Sequence, residues 1–112
     1  GVAARHAALA AARAAHLAPS LLQDAEVQLE RLQGLLLARE RGDFSGTRCY
    51  LRLAAAAGVK EAEMSDVSLV FGEWKLLLHE VDVAASDGRA SSLRQAMARA
   101  TASGISEEHL RW

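Results

Sequence analysis

The sequence predicts an all-α fold of four to five helices in stacked antiparallel hairpins, a bundle or short α-solenoid, and three observations lead there. Leu22, Ala25, Leu29, Leu32 and Leu36 recur at alternating intervals of three and four, the spacing of one helix face. A helix end then recurs along the chain. Ala54 to Ala57 runs into Gly58, Val59 and Glu61, and 46 residues on Ala100-Thr101-Ala102-Ser103 runs into Gly104, Ile105 and Glu107. A looser copy lies 42 residues upstream, where Ala14-Ala15 leads into His16 and Leu17, with Pro19 at the place of Glu61 and Leu22 at that of Met64. Finally, no stretch alternates apolar and polar residues convincingly enough to read as a strand. Alanine fills 24 of the 112 positions, so composition alone generates part of this self-similarity.

The recurring stretch has a physical rationale as a tight bend between helices. Glycine just past a helix enters the left-handed region without a Cβ clash, and the apolar residue after it, Val59 or Ile105, packs back on the last turn. Ser106 can cap the helix after Gly104, and Glu107 and Glu108 suit its positive dipole end; Pro19 is tolerated in a first helical turn. His16 departs from the pattern, standing where the other copies carry glycine.

Residues 1–19 form an alanine-rich N-terminal helix, and 20–112 a single helical domain with bends at 58 and 104. The first twenty residues hold ten alanines, Arg5, His6, Arg13, His16 and no acid. Such a segment reads either as an ordinary alanine-rich helix or as the remnant of an organellar targeting segment, which would place the protein in a plastid or mitochondrion rather than the cytoplasm.

The Leu22–Leu36 helix gains apolar width from Leu35 and Leu37, carries Arg39 and Arg41 at its negative end and stops at Gly42. Arg41-Gly42-Asp43 is read as that stop and turn rather than as an adhesive tripeptide. Phe44 is expected to anchor the turn on the core, with Ser45 or Thr47 capping a short helix through Ala57. The next helix, about Glu61 to Val83, carries Val67, Val70, Phe71, Trp74, Leu77, Leu78 and Val81 on one face and Leu69 and Leu76 on another. Gly72 within it would let another helix approach closely. Ala84 to Ser91 reads as a flexible loop, Ser92 and Gln95 as a capping box opening a helix to Gly104, and the last eight residues as the start of another helix ending in Trp112.

Chemistry is sparse. A formal charge of −1 provides no global field for nucleic acid or acidic membranes, and no apolar run approaches the roughly 20 residues of a membrane span. Cys49 excludes an internal disulfide and reads as a small buried residue. His6, His16, His79 and His109 lack partners at zinc-ligand spacing, and the Glu61/Glu63 and Glu107/Glu108 pairs occupy first turns where acids are expected for dipole reasons. No catalytic residue, metal site or cofactor is assigned. The expected role is that of a non-catalytic interaction subunit contacting other protein chains through Leu69, Leu76 and Trp112. The alternative is a small-molecule or pigment-binding helical protein centred on His79 and Trp74, since a neutral imidazole there could ligate a metal or chlorophyll magnesium.

The run Ala14 through His16-Leu17-Ala18-Pro19-Ser20-Leu21-Leu22-Gln23-Asp24-Ala25-Glu26, with its copies at Gly58 and Gly104, resembles degenerate helical-hairpin repeats common in large algal and alveolate proteins. That resemblance covers most of the chain and implies interaction or scaffolding; in algal plastids, helical proteins of this kind can be accessory subunits of photosynthetic complexes. It brings no catalytic residues with it.

Overall fold

The computed structural model describes residues 1–110. Among them are five α-helices and no strand: α1 (Val2–Ala14), α2 (Pro19–Glu40), α3 (Phe44–Ala56), α4 (Glu61–Asp87) and α5 (Ala90–Ala102), closed by a 3-10 turn at Glu107–Leu110. Short and long helices alternate, with 13 residues in each of α1, α3 and α5 against 22 in α2 and 27 in α4. At about 1.5 Å per residue each long helix is about as long as two short ones, so it can pack two short helices along its length. α2 packs between α1 and α3, and α4 between α3 and α5. The result is a staggered stack of hairpins measuring 62 × 21 × 20 Å.

Four of the five bends share one hydrogen-bonding pattern. At His16, Gly42, Gly58 and Gly104 the backbone turns left-handed, with φ of 55°, 69°, 92° and 101°. In each case the next N–H donates back to the carbonyl five residues earlier: Leu17 to Ala12 at 3.3 Å, Asp43 to Ala38 at 2.9 Å, Val59 to Ala54 at 3.0 Å and Ile105 to Ala100 at 3.3 Å. This is the Schellman arrangement, which satisfies carbonyls otherwise orphaned at a helix end. His16 therefore belongs to the set despite its side chain, and the first bend is geometrically equivalent to those at Gly58 and Gly104. Pro19 opens α2 as expected.

Several boundaries differ from expectation. The α3 cap is Asp43, whose carboxylate accepts the Gly46 N–H at 2.9 Å, rather than Ser45 or Thr47; Gly46 leaves room for it, because a Cβ there would collide with the carboxylate. α4 runs past Val83 to Asp87, so the expected loop over 84–91 shrinks to Gly88 and Arg89: Ala84 is buried against α5 and alanine favours the helix until left-handed Gly88 ends it. α5 starts at Ala90, without a side-chain cap from Ser92. Cys49 is exposed on α3 rather than buried.

The core falls into two clusters. Leu32, Leu35, Ala54, Val59, Met64 and Val67 join α2, α3 and the start of α4, while Phe71, Trp74, Val81, Ala84, Ala96, Ala100, Ile105 and Leu110 join α4, α5 and the closing turn. The buried seam of α2 passes through Leu29, Leu32, Leu35 and Ala38 and leaves Leu36 and Leu37 outside. α2 carries α1 and α3 side by side over much of its length, with Gln28 bonding both Arg5 of α1 and the Ala57 carbonyl that ends α3. Tyr50 of α3 lies flat against Gly34, where a Cβ would collide with its ring. Phe44 anchors its turn by stacking on Phe71 at 4.9 Å. The bends at Gly42 and Gly104 touch: Ser106 donates to the Gly42 carbonyl at 2.9 Å, and a Cβ on Gly42 would collide with the Gly104 oxygen.

α1 is fastened to this body at Leu9, which is buried, and at Arg5, which holds Glu63 through two 2.7 Å bonds and Gln28 through one of 2.8 Å. The Arg5 hydrogen bonds hold the Glu63 carboxyl below the usual carboxylate range. A depressed folded-state pKa means that this fastening is complete above the ordinary carboxylate pKa and is lost as pH falls through the depressed one. Hydrogen exchange of α1 amides, relative to α3, should accordingly accelerate only as pH falls below the ordinary carboxylate pKa. Glu63→Gln should weaken the anchoring already at neutral pH and abolish the pH dependence; an identical acid response in the variant would contradict this assignment.

The bends give a second expectation, of opposite sign at two equivalent positions. His16→Gly removes the left-handed penalty of a side chain and should raise stability by about 1 kcal/mol, less the extra freedom glycine gives the unfolded chain. Gly58→Val forces a β-branched residue to φ 92° and brings its Cβ within 3.1 Å of the Gln28 amide, so it should cost more than about 1 kcal/mol. Urea denaturation of both variants checks the pair, and equal shifts in one direction would refute it.

Candidate interaction surface

α4 has more apolar residues than one face can use. Its inner side, Met64, Val67, Phe71, Trp74, Val81 and Ala84, is buried. Leu69 and Leu76 point the other way and remain 70% and 68% exposed. Val83, half exposed, continues the line at the same interval of seven residues. Seven residues are about two turns, so the three side chains form a stripe roughly 21 Å long on a single side of the helix. The stripe is apolar because these residues are leucine and valine, and it lies outside because α3 and α5 fill the opposite side.

Gly72 lies between Leu69 and Leu76, and a Cβ built on it would meet nothing within 4 Å. Among the described residues no close approach uses that glycine, so the gap it leaves lies open beside the stripe. Val83 was not singled out by the sequence reading; the signal that identifies it is its spacing of seven from Leu76. The other large apolar side chains left most exposed, Leu17 and Leu21, lie at the α1–α2 bend.

The proposed ligand pair does not converge. Trp74 is 1% exposed at the centre of the second core cluster, and its indole N–H donates to the Ser103 carbonyl at 3.1 Å. His79 is exposed. Five residues of helix separate them by about 140° around the axis, which puts one inside and one outside. His79 borders a cleft of about 320 Å³ between α4 and α5, but Trp74 does not line it. Six of its nine lining residues are charged or polar, among them Arg99, which pairs with Glu80 at 3.2 Å. An apolar pigment needs a mostly apolar, enclosing wall.

The closing turn folds back on the domain: Leu110 is buried in the α4–α5 cluster, and His109 lies 3.4 Å from Asp43 and edge-on to Phe44. Trp112, the third expected partner contact, lies outside the described residues. Among those residues no group of three or more His, Cys, Asp or Glu could hold a metal ion, and no helix is long and apolar enough to cross a membrane. No protein-family model matches the chain, and comparison with curated proteins and with solved structures likewise gives no match.

Because Leu69 and Leu76 support nothing in the core, replacing both with glutamine should leave the fold intact. Thermal unfolding followed by circular dichroism should place the double variant within about 0.5 kcal/mol of the parent per site. A loss of several kcal/mol would show that the stripe packs within the chain.

Proposed function

We propose that this protein is a non-catalytic helical scaffold that joins other protein subunits through the Leu69–Leu76–Val83 stripe of α4. The observation that carries the reading is the exposure of two leucines at 70% and 68%, two turns apart, on the helix whose opposite side already supplies the core. Covering a large apolar side chain is worth roughly 1.5–3 kcal/mol, so a partner surface that closes over the stripe gains affinity from each of its members. Gly72 adds shape, since the gap between Leu69 and Leu76 can receive a side chain from the partner. The resemblance to helical-hairpin repeats supports the same role and extends it to an accessory subunit of an organellar assembly, plastid or mitochondrial.

The test is affinity capture with the intact protein and with Leu69→Gln/Leu76→Gln. The expected result is that partner chains recovered by the parent are absent with the variant while helicity and unfolding temperature are unchanged, and that those partners are organellar. Recovery of every parent partner by a folded double variant would show that the stripe is not the interface.

A further inference from the structure

α2 and α4 occupy equivalent places in the stack, 46 residues apart. The side-chain amide of Gln28 donates to the carbonyl of Ala57 at 2.8 Å, and the indole of Trp74 donates to that of Ser103 at 3.1 Å. Both acceptors cap a short helix immediately before its left-handed glycine. At the same offset Leu32, Leu35 and Ala38 of α2 correspond to Leu78, Val81 and Ala84 of α4, and all six are buried or half-buried. Position by position, the α4 stripe of Leu69, Leu76 and Val83 falls on Gln23, Glu30 and Leu37 of α2. Those three are exposed although α2 has α1 and α3 packed on it and touches α4. Stacking of hairpins therefore leaves this side of a long helix open, and the fold does not require apolar residues on it.

α4 also carries an acidic edge along that stripe. Asp66, Glu73, Glu80 and Asp87 recur every seven residues, and the last three follow Leu69, Leu76 and Val83 by four, the spacing of neighbours on a helix surface. All four are exposed. Arg99 pairs with Glu80 at 3.2 Å, whereas among the described residues Asp66, Glu73 and Asp87 have no ion pair. Their counterparts on α2 are Ser20, Val27, Gly34 and Arg41, so the edge, like the stripe, distinguishes α4 from its equivalent. Composition does not produce it, because α4 holds seven acids against one lysine in a chain of formal charge −1. Helix stability does not account for it either: Asp87 stands in the last turn, where the dipole disfavours an acid and no basic residue offsets it. The other edge of the stripe, three residues after each member, is Gly72, His79 and Ser86 and carries no carboxylate.

We propose that the occupant of the α4 stripe is a basic amphipathic helix of another protein. It lies along α4 with its apolar seam on Leu69, Leu76 and Val83 and a row of lysine or arginine against the acidic edge. The inference rests on the reading of the stripe as an interface and specifies its partner. A repeat of seven along one side of a helix is what a second helix reads at a shallow crossing angle, and the charges flanking such a seam set which partner it accepts. A second copy of this chain does not supply the complement. Antiparallel, two α4 helices would set acidic edge against acidic edge; parallel, they would set it against Glu61, Ser68, Lys75 and Asp82, which hold one cation among them. The same carboxylates repel nucleic acid and anionic lipid surfaces.

The probe is a fluorescein-labelled helical peptide of about four heptads, with leucine at the first and fourth positions of each, lysine at the fifth and seventh, and alanine or glutamine elsewhere. Lysine on both edges keeps it from pairing with itself, and a control peptide carries glutamate in place of lysine. Titrated against the intact protein by fluorescence anisotropy, the lysine peptide is expected to bind saturably, at least about tenfold more tightly than the control and more weakly as salt is raised. Asp66→Asn/Glu73→Gln/Asp87→Asn should weaken it about tenfold, and Leu69→Gln/Leu76→Gln about a hundredfold. Equal binding of both peptides, lost in the leucine variant, overturns the basic partner while leaving the stripe as an interface. Binding that the leucine variant retains overturns it too, since charge alone would then hold the peptide. Absence of saturable binding up to about millimolar peptide overturns the choice of partner, whereas failure of the stripe itself shows as a folded leucine variant that still recovers every parent partner. Self-association of the protein that the leucine variant abolishes would assign the stripe to a second copy and overturn the proposal.

Discussion

The stacking of this chain depends on a side-chain N–H reaching the last free carbonyl of a neighbouring helix. A helix end leaves carbonyls without intrahelical donors, and the Schellman bonds at Gly58 and Gly104 satisfy those just inside the end. The carbonyl of the capping residue itself, Ala57 or Ser103, gains no backbone donor, and at this part-buried position Gln28 or Trp74 supplies one. Leaving such a group unpaired costs about 1–3 kcal/mol, so Gln28 and Trp74 set the position at which each short helix must stop against its long one. That stop fixes where the following long helix begins.

The bends were legible because glycine followed by an apolar residue after an alanine run has one economical conformation. The bend at His16 was legible only as a looser copy, through Ala14-Ala15 and Leu17, since histidine announces no positive φ; the backbone shows it to be the same turn. The α2 seam was read through Leu36, yet Leu35 is the buried residue. Periodicity records one face of a helix and carries no notice that two neighbours share it. The α3 cap was misplaced for a related reason: Asp43, Ser45 and Thr47 are all competent caps, and it is Gly46 that makes space for the Asp43 carboxylate. Contacts between distant bends, such as Ser106 on Gly42, leave no local trace at all.

Of the candidate surface, Leu69 and Leu76 were legible because an apolar residue off the seam of an amphipathic helix has nowhere inside to go. Trp74 and His79 are close in sequence, which suggested a site, but a helix turns such a pair to opposite sides. The equivalence of Gln28 and Trp74 escaped the sequence because the two side chains share a single attribute, an N–H at the right reach, and little else. The same equivalence shows why the α1–α2 bend stands apart: its backbone is folded as in the other copies, while among the described residues no helix covers Leu17 as α2 and α4 cover Val59 and Ile105.

The most direct measurement is native-state hydrogen exchange at the amides of Leu17, Val59 and Ile105, which make the same backbone bond in three equivalent bends. If long-helix cover stabilises the bends, the Val59 and Ile105 amides exchange only through global unfolding, and the Leu17 amide exchanges through local opening at far lower free energy. Equal protection at all three would contradict the account, because it would mean that the backbone turn holds itself and the covering helix adds nothing.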